Sequence, residues 1–319
     1  MKRILCLTTF SAALCAGALA VAFTTFDTSA QQSPTPQELV AAKVTEVDFK
    51  AELTDGWKAA AMIELASAYA RGKPGPSVQL RAQHDGEYVY IMAQWKDATK
   101  SDTKQAWEYN DGTWSKADGD EDRLAYAFGG NAANFEAKGC GALCHDGEMR
   151  TTGKDEIGDL WHWKAARGGQ NGECDDQHFA GGDKGRPDDA GKSAYESNAD
   201  KDGKAPKWVW NEGADTTAAF TADTARDLPA DFKPENGYRV PSIRLRTPEG
   251  SRADLKSAAA WIDGVWTVVI KRKLDTGNKD DVQFKVGESA SFAVALLDNK
   301  GVKDGHDHSK TALVKLVIK

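Results

Sequence analysis

Residues 78–96 read VQLRAQHDGEYVYIMAQWK, and this stretch decides the fold class. Apolar and polar residues alternate from Val78 to Ala82, which is the period of a strand with one buried face. The pair Asp85-Gly86 is typical of a tight turn between antiparallel strands, and a second apolar run follows from Tyr88 to Trp95. The stretch therefore predicts a β-hairpin.

Similar short segments occur on both sides of this hairpin. They predict strands at Val44–Leu53, Leu124–Phe128, Ala259–Ile262, Trp266–Lys271, Ser291–Leu297 and Leu313–Ile318, with a second tight turn at Asp263-Gly264. Short strands separated by turn residues are typical of an antiparallel β-sandwich. We therefore expect a mainly β protein with a few short helices.

The middle of the chain is less regular. Asp159 can cap a helix over Leu160–Arg167, and Gly168 would end it. From 168 to 207 the sequence is rich in Gly, Asp and Lys, which predicts a long loop.

The first residues have the layout of a secretory signal. Lys2 and Arg3 precede an apolar run, and small residues precede Gln31, so we expect cleavage after Ala30. Lipid attachment at Cys15 is disfavoured, because the bulky Leu14 directly precedes it. Later in the chain, no run reaches the roughly 18 apolar residues of a membrane span. This organisation predicts a signal peptide at 1–30, a flexible leader at 31–42, a single domain at 43–319, and a periplasmic or secreted location.

The composition narrows the function classes. The formal net charge is −7 and the basic residues are scattered, so nothing indicates nucleic-acid binding. Ten tryptophans in 319 residues indicate a large core. Signal cleavage would leave Cys140, Cys144 and Cys174, an odd number for a framework of disulfides. The acidic neighbours of Cys174 argue against an activated thiolate there, because negative charge raises the pKa of a thiol.

Residues 139–145, GCGALCH, indicate covalent attachment of haem. Cys140 and Cys144 can form thioethers with the porphyrin, and His145 can reach the iron. The usual spacing is C-x-x-C-H, whereas here three residues separate the cysteines. Gly141 could accommodate the extra residue, because glycine adopts backbone angles closed to other residues. The alternative is a small disulfide loop.

The second iron ligand has few candidates. Met149 follows His145 by four residues, so it could coordinate only if the loop wraps the porphyrin edge. His306 and His308 precede the last predicted strand and are the favoured distant source. Lys310 also stays open, since burial can free an amine for coordination. Surface or structural roles are expected for His84, His162 and His178.

The chain resembles the haem-binding subunit of ethylbenzene dehydrogenase and related cytochromes. Beside the Cys-His motif, the resemblance lies in Gln94–Asp97, Glu121–Leu124, Asp159–Lys164, Gly250–Asp254 and Asp263–Val268. It implies a β-sandwich holding one haem, in some members as the γ subunit of exported molybdenum enzymes related to dimethyl sulfoxide reductase. Its better-known members bind haem b through a methionine and a lysine. The Cys-His motif departs from that pattern, so the resemblance implies the fold and role without fixing the ligands.

The leading hypothesis is therefore an exported electron-transfer protein without catalysis of its own. It would carry one covalent haem c rather than haem b, held by an irregular insertion in the sandwich. Iron–sulfur or molybdenum enzyme subunits and soluble cytochromes would be its redox partners. The alternative is a secreted β-sandwich that binds a carbohydrate or other ligand on Trp57, Trp107, Trp114 and Trp208. A hydrolase using His306, His308 and Asp304 is disfavoured, because no His-Glu-x-x-His pattern is present.

Overall fold

The structure is a computed structural model that describes residues 35–69, 72–145, 148–181, 185–299 and 309–319, with the backbone alone at Cys144, His145 and Glu148. Its strands are β1 (Gln37–Lys43), β2 (Met62–Leu65), β3 (Ser67–Ala68), β4 (Val78–His84), β5 (Tyr88–Lys96), β6 (Trp107–Asn110), β7 (Thr113–Lys116), β8 (Arg123–Phe128), β9 (Cys144–His145), β10 (Glu148–Met149), β11 (Ile157–Lys164), β12 (Asp175–Ala180), β13 (Gly191–Lys192), β14 (Tyr195–Ser197), β15 (Trp208–Trp210), β16 (Ala225–Asp227), β17 (Tyr238–Val240), β18 (Ile243–Leu245), β19 (Glu249–Gly250), β20 (Lys256–Ile262), β21 (Val265–Lys273), β22 (Ser289–Leu297), β23 (Ser309–Thr311) and β24 (Val314–Ile318). The short helices are α1 (Asp55–Ala59), α2 (Phe135–Lys138) and 3-10 turns at Gly139–Ala142, Gly169–Asn171 and Ser251–Ala253.

One large curled sheet dominates the fold, and the predicted mainly β class with a few short helices is confirmed. Its main path runs β12-β11-β8-β22-β24-β1-β4-β5-β21-β20. The pairings are antiparallel except at β1, which lies parallel to both β24 and β4. Both predicted hairpins are confirmed: β4 pairs with β5 and β20 with β21. Their turns contain Gly86 at φ 102° and Gly264 at φ 77°, angles that favour glycine.

The two halves of the curled sheet pack face to face around one core. The Trp163 ring on β11 lies 6.3 Å from that of Trp95 on β5 and 5.0 Å from that of Trp266 on β21, measured between centroids. Strands distant along the sheet therefore meet across the core, as in a sandwich. A satellite cluster around Trp107, Trp208 and Phe220 fills the region of β6, β15 and β17.

The predicted helix over Leu160–Arg167 is wrong, because Ile157–Lys164 is strand β11. Its backbone pairs with β8 on one side and with β12 on the other. Trp161 and Trp163 point into the main core, while Leu160 packs in a second cluster on the opposite face. This period of two outweighs the local capping signal of Asp159.

Three further expectations are corrected by the structure. The leader predicted at 31–42 overlaps strand β1, whose Leu39 and Ala41 are fully buried. Val44–Leu53 forms no strand but packs its apolar side chains against Trp57 and Tyr90 outside the sheet. The loop predicted at 168–207 contains strand β12, which pairs with β11 although its sequence is polar.

Among the described residues, no helix combines the length and apolar character needed to cross a membrane.

Candidate functional site

Strands β8 and β11 are buried on both faces. Tyr126, Phe128 and Trp161 fill the main core. The opposite side carries mostly short side chains and forms a second cluster. We call it the alanine face and define it by Ala125, Ala127, Leu160, Phe179 and Ala295.

Side chains of the segment 132–143 cover the alanine face. Phe135 of α2, together with Ala142 and Leu143 near the Cys-His motif, packs on it. Each of these three side chains is at least 95% buried, with Leu143 at 0% exposure. The irregular insertion predicted from the sequence is therefore seated on the sheet rather than extended from it.

The Cys-His motif begins in the 3-10 turn at Gly139–Ala142 and continues into β9, which pairs with β10. Cys144 lies opposite Met149 in this register, and His145 opposite Glu148. Cys140 and Met149 are partly buried and pack against the alanine face. Gly139, with φ 54°, adopts the unusual backbone angles instead of Gly141, which was expected to do so.

The structure describes only some of the other predicted iron ligands. The side chains of Cys144 and His145 and the whole of His306 and His308 lie outside the described residues. Lys310 lies opposite Ala295 on β22 and is exposed. The structure thus places Cys140 and Met149 against the same cluster and Lys310 on a strand next to the alanine face.

His162 lies at the edge of the alanine face and was not among the favoured ligands. It is 5% exposed, and neither Nδ1 nor Nε2 has a hydrogen-bond partner. Ala125 is its cross-strand neighbour on β8, and Asp175 on β12. The alternation Leu160-Trp161-His162-Trp163-Lys164 is the signal that could have placed it on this face.

Four cations surround His162. Burial is the main cause that lowers its pKa well below the usual value, and Lys164, Arg186, Arg123 and Arg167 lower it further. The imidazole is therefore neutral near pH 7 and keeps a free lone pair. Such a nitrogen can bind a metal ion.

Most of these cations already have anionic partners. Lys164 contacts Asp175, and burial lowers the pKa of Lys164 to about 8 despite that contact. Arg167 contacts Glu121 at 2.5 Å, and Arg123 contacts Asp120 at 2.6 Å. Their charges are largely compensated, which is what a buried position requires.

A flat apolar group such as haem fits these observations in two respects. The alanines leave little side-chain bulk on the sheet, so a flat group could lie against them once Phe135, Ala142 and Leu143 move off the face that they cover. The orphaned imidazole supplies a nitrogen ligand that nothing else in the described residues satisfies. Cys140 and Cys144 are the residues that would hold the group covalently, and His145 would ligate its iron.

Other polar clusters have structural explanations. Asp159, Asp176 and Asp281 lie together in the core, where Arg272 contacts Asp159 at 2.5 Å. His178 contacts Asp189 at 2.5 Å, and this interaction raises the pKa of His178. A further group, Asp97, Asp122 and Asp298, includes Asp122, which accepts a hydrogen bond from the indole of Trp266.

Cys174 and the predicted tryptophan platform are inert in this structure. Cys174 is 3% exposed, and burial followed by the charges of Asp175 and Asp176 raises its pKa well above the usual value. Trp57 is 0%, Trp107 2% and Trp208 7% exposed, and Trp57 belongs to a different cluster from the other two. Trp57, Trp107 and Trp208 therefore pack inside the protein, whereas Trp114 is partly exposed and packs against the cluster of Trp107 and Trp208.

These features define the class: a mainly β protein built on a curled antiparallel sheet, with a small-residue face beside a Cys-x-x-x-Cys-His motif. The ethylbenzene dehydrogenase family matches residues 40–309. The chain belongs to that family. Among curated proteins, none matches it.

Three solved structures are similar in outline. A putative carbohydrate-binding protein from Bacteroides uniformis is 11% identical, with 89% of this chain and 100% of that chain covered and a TM-score of 0.41. A family 9 carbohydrate binding module from Caldicellulosiruptor kristjanssonii in complex with glucose is 6% identical, with 89% and 96% covered and a TM-score of 0.39. The same kind of module with cellotriose is 7% identical, with 89% and 94% covered and a TM-score of 0.36. At these values the likeness carries no functional inference.

Proposed function

We propose that this protein is an exported electron-transfer protein with one covalently attached haem, a c-type cytochrome of the ethylbenzene dehydrogenase family. Cys140 and Cys144 form the thioethers, and His145 is the first iron ligand. The observation that supports the proposal is the position of Cys140, which packs against the cluster that contains the alanine face, while His162, next to Ala125 on that face, is buried without a hydrogen-bond partner.

The bound haem supplies a one-electron couple of iron. The chain supplies the rest: Ala125, Ala127 and Leu160 give an apolar surface, and Phe135 and Leu143 keep water from it. Low polarity and the identity of the ligands set the reduction potential. Each cycle takes one electron from a reduced donor and gives one to an oxidised acceptor, so no other reactant is needed.

The proposed partners follow from the family. An iron–sulfur or molybdenum enzyme subunit would be the donor, and a soluble cytochrome the acceptor. The chain would then be a non-catalytic subunit of a periplasmic molybdenum oxidoreductase or a free carrier. The acidic net charge of −7 would favour a partner with a basic surface.

Export is part of the proposal. The segment 1–30 would be removed as a signal peptide, so the mature protein would begin at Gln31 and reside in the periplasm or outside the cell. N-terminal sequencing of the protein purified from that compartment tests this step. A mature chain that still begins at Met1 would refute it.

A denaturing gel stained for haem peroxidase activity tests the attachment. The wild type should retain the stain, and Cys140→Ala and Cys144→Ala should each reduce it. Cys174→Ala is the matched control, since that thiol is buried in the main core and should leave the stain unchanged. Equal stain in both motif variants would refute attachment by these thiols.

The absorption spectrum of the native protein separates the remaining outcomes. Haem that absorbs in the native protein but is lost on the gel would indicate haem b, held without covalent bonds. A colourless protein from a host that assembles cytochromes would refute the proposal. Glycan-array binding by the colourless protein would then support the carbohydrate-binding alternative.

A further inference from the structure

We propose that the imidazole of His162 is the second axial ligand of the haem iron. This inference rests on the proposed function, and it replaces Met149, His306 and His308 in that position. It would make the iron a bis-histidine centre, with His145 supplied by the covering segment and His162 by the sheet.

The direction of His162 is fixed by strand β11. Successive side chains on a strand point to opposite faces, so Trp161 and Trp163 in the main core force His162 onto the other side. Both indoles are at most 1% exposed and pack against aromatic rings. The imidazole is therefore held on a rigid element, as ligands of tuned metal sites usually are.

The surroundings of His162 leave it without a protein partner. Its cross-strand neighbour Asp175 already receives hydrogen bonds from Lys164, Tyr195 and Arg252. On the other side, Ala125 and then Ala295 offer no polar atom in their side chains. Both ring nitrogens remain unsatisfied, and each such group costs about 1–3 kcal/mol when buried.

The other described histidine side chains show what a structural role looks like here. His84 is 0% exposed, and its Nε2 bonds the backbone oxygen of Lys319. His178 bonds Asp189 through Nδ1. His162 has neither kind of contact, so packing alone does not explain an imidazole at this position.

No protein group engages the lone pair of the His162 imidazole, because neither ring nitrogen has a hydrogen-bond partner. Met149 has no comparable position, because it shares the β9–β10 hairpin with His145, and residues that close rarely reach opposite faces of one porphyrin.

Spectroscopy of purified, haem-loaded variants tests the inference. The ferric wild type should be low-spin, and its near-infrared magnetic circular dichroism should be that of a His–His pair rather than a His–Met pair. In His162→Ala, the low-spin signal should be lost and a high-spin signal should replace it. Added imidazole should restore the low-spin form, because it can occupy the vacated coordination site.

His162→Met is the second variant, and it covers the case in which the alanine variant fails to fold. It should give the near-infrared band of a His–Met pair and shift the reduction potential to a more positive value. His178→Ala is the matched control, since it removes a partnered histidine from the neighbouring strand and should leave the spectrum unchanged.

The outcomes separate this inference from the proposed function. A wild type without haem defeats the proposed function and with it the inference. A haem-loaded wild type whose spectrum is unchanged in both His162 variants defeats the inference alone. A loss of low-spin signal in Met149→Ala, His306→Ala, His308→Ala or Lys310→Ala, but not in His162→Ala, would also overturn it.

Discussion

Replacing Arg272 by methionine tests how the core tolerates three aspartates. Arg272 is 0% exposed, and its Nη1 donates to Asp159 at 2.5 Å and lies 3.5 Å from Asp281. Its guanidinium also lies 4.9 Å from the ring centroid of Trp161. Methionine keeps most of the apolar contact but removes the only positive charge in direct contact with the cluster among the described residues.

The expected cost is large because the variant leaves buried carboxylates without a cation. Removing one partner of a buried ion pair costs about 3–5 kcal/mol. A domain of this kind is stable by about 5–15 kcal/mol, so the variant should fold but lose a substantial fraction of its stability. Urea unfolding should show a midpoint lower by about 2 M if the slope is about 2 kcal/mol/M.

The loss should depend on pH in a defined direction. Burial is the main cause that raises the pKa of Asp159 and Asp176, and it raises that of Asp281 to about 7. A carboxyl whose folded pKa is raised stabilises the fold at low pH and loses this contribution as pH rises through the folded value. Without Arg272 these pKa values rise further, so the variant should lose less stability at pH 5 than at pH 8.

Lys273→Met, at the next residue along the same strand and exposed, is the control for loss of charge alone. It should change the free energy of unfolding by no more than about 0.5 kcal/mol. A loss below about 1 kcal/mol for Arg272→Met at pH 8, or an equal loss at pH 5 and pH 8, would refute the ion-pair reasoning.

Asp176→Asn removes a carboxyl whose pKa is raised well above its usual value by burial and by the charge of Asp159. We expect the variant to be more stable than the wild type in urea at pH 8. This advantage should vanish below about pH 3.9, the pKa of an aspartate in the unfolded chain. An advantage that persists unchanged in acid would contradict this. Gly130→Ala should cost about 1–3 kcal/mol more than Gly213→Ala in thermal unfolding, because both have positive φ but only at Gly130 would a Cβ meet a backbone oxygen, 2.1 Å away. Equal losses would show that the close contact relaxes. Mass spectrometry after alkylation at pH 8 should find the Cys174 thiol protected in the folded protein and modified in urea. Burial raises the pKa of this thiol and blocks access of the reagent to it. Rapid labelling of Cys174 in the folded protein would contradict this.

The sequence predicts the strands correctly where the pattern of apolar residues and the turn residues both indicate a hairpin. The β4–β5 and β20–β21 hairpins have alternating apolar residues and an Asp-Gly turn, so local signals alone locate them. Strand β12 has no such signal. Its residues Asp175, Asp176 and Gln177 are polar but buried, and the charge of Asp175 is compensated there by Lys164 and Arg252, which lie outside the strand.

The helix predicted over Leu160–Arg167 failed for a related reason. Asp159 has the chemistry of an N-cap, yet its carboxylate accepts hydrogen bonds from Arg272 and from the backbone of Val282. Both partners lie more than a hundred residues away, so no local window contains them. A capping residue that finds stronger partners elsewhere in the core no longer favours a helix.

The sequence predicts only one of the two walls of the candidate site. The Cys-His motif is visible as seven consecutive residues, but its opposite wall is made of alanines from β8 and β22, which carry no signature in sequence. That wall arises because β8 is buried on both faces: large rings such as Tyr126 occupy the core side, and small residues allow the covering segment to approach on the other. Neither ring nitrogen of His162 on β11 has a hydrogen-bond partner, and the residue acquires significance only when the register places it beside Ala125.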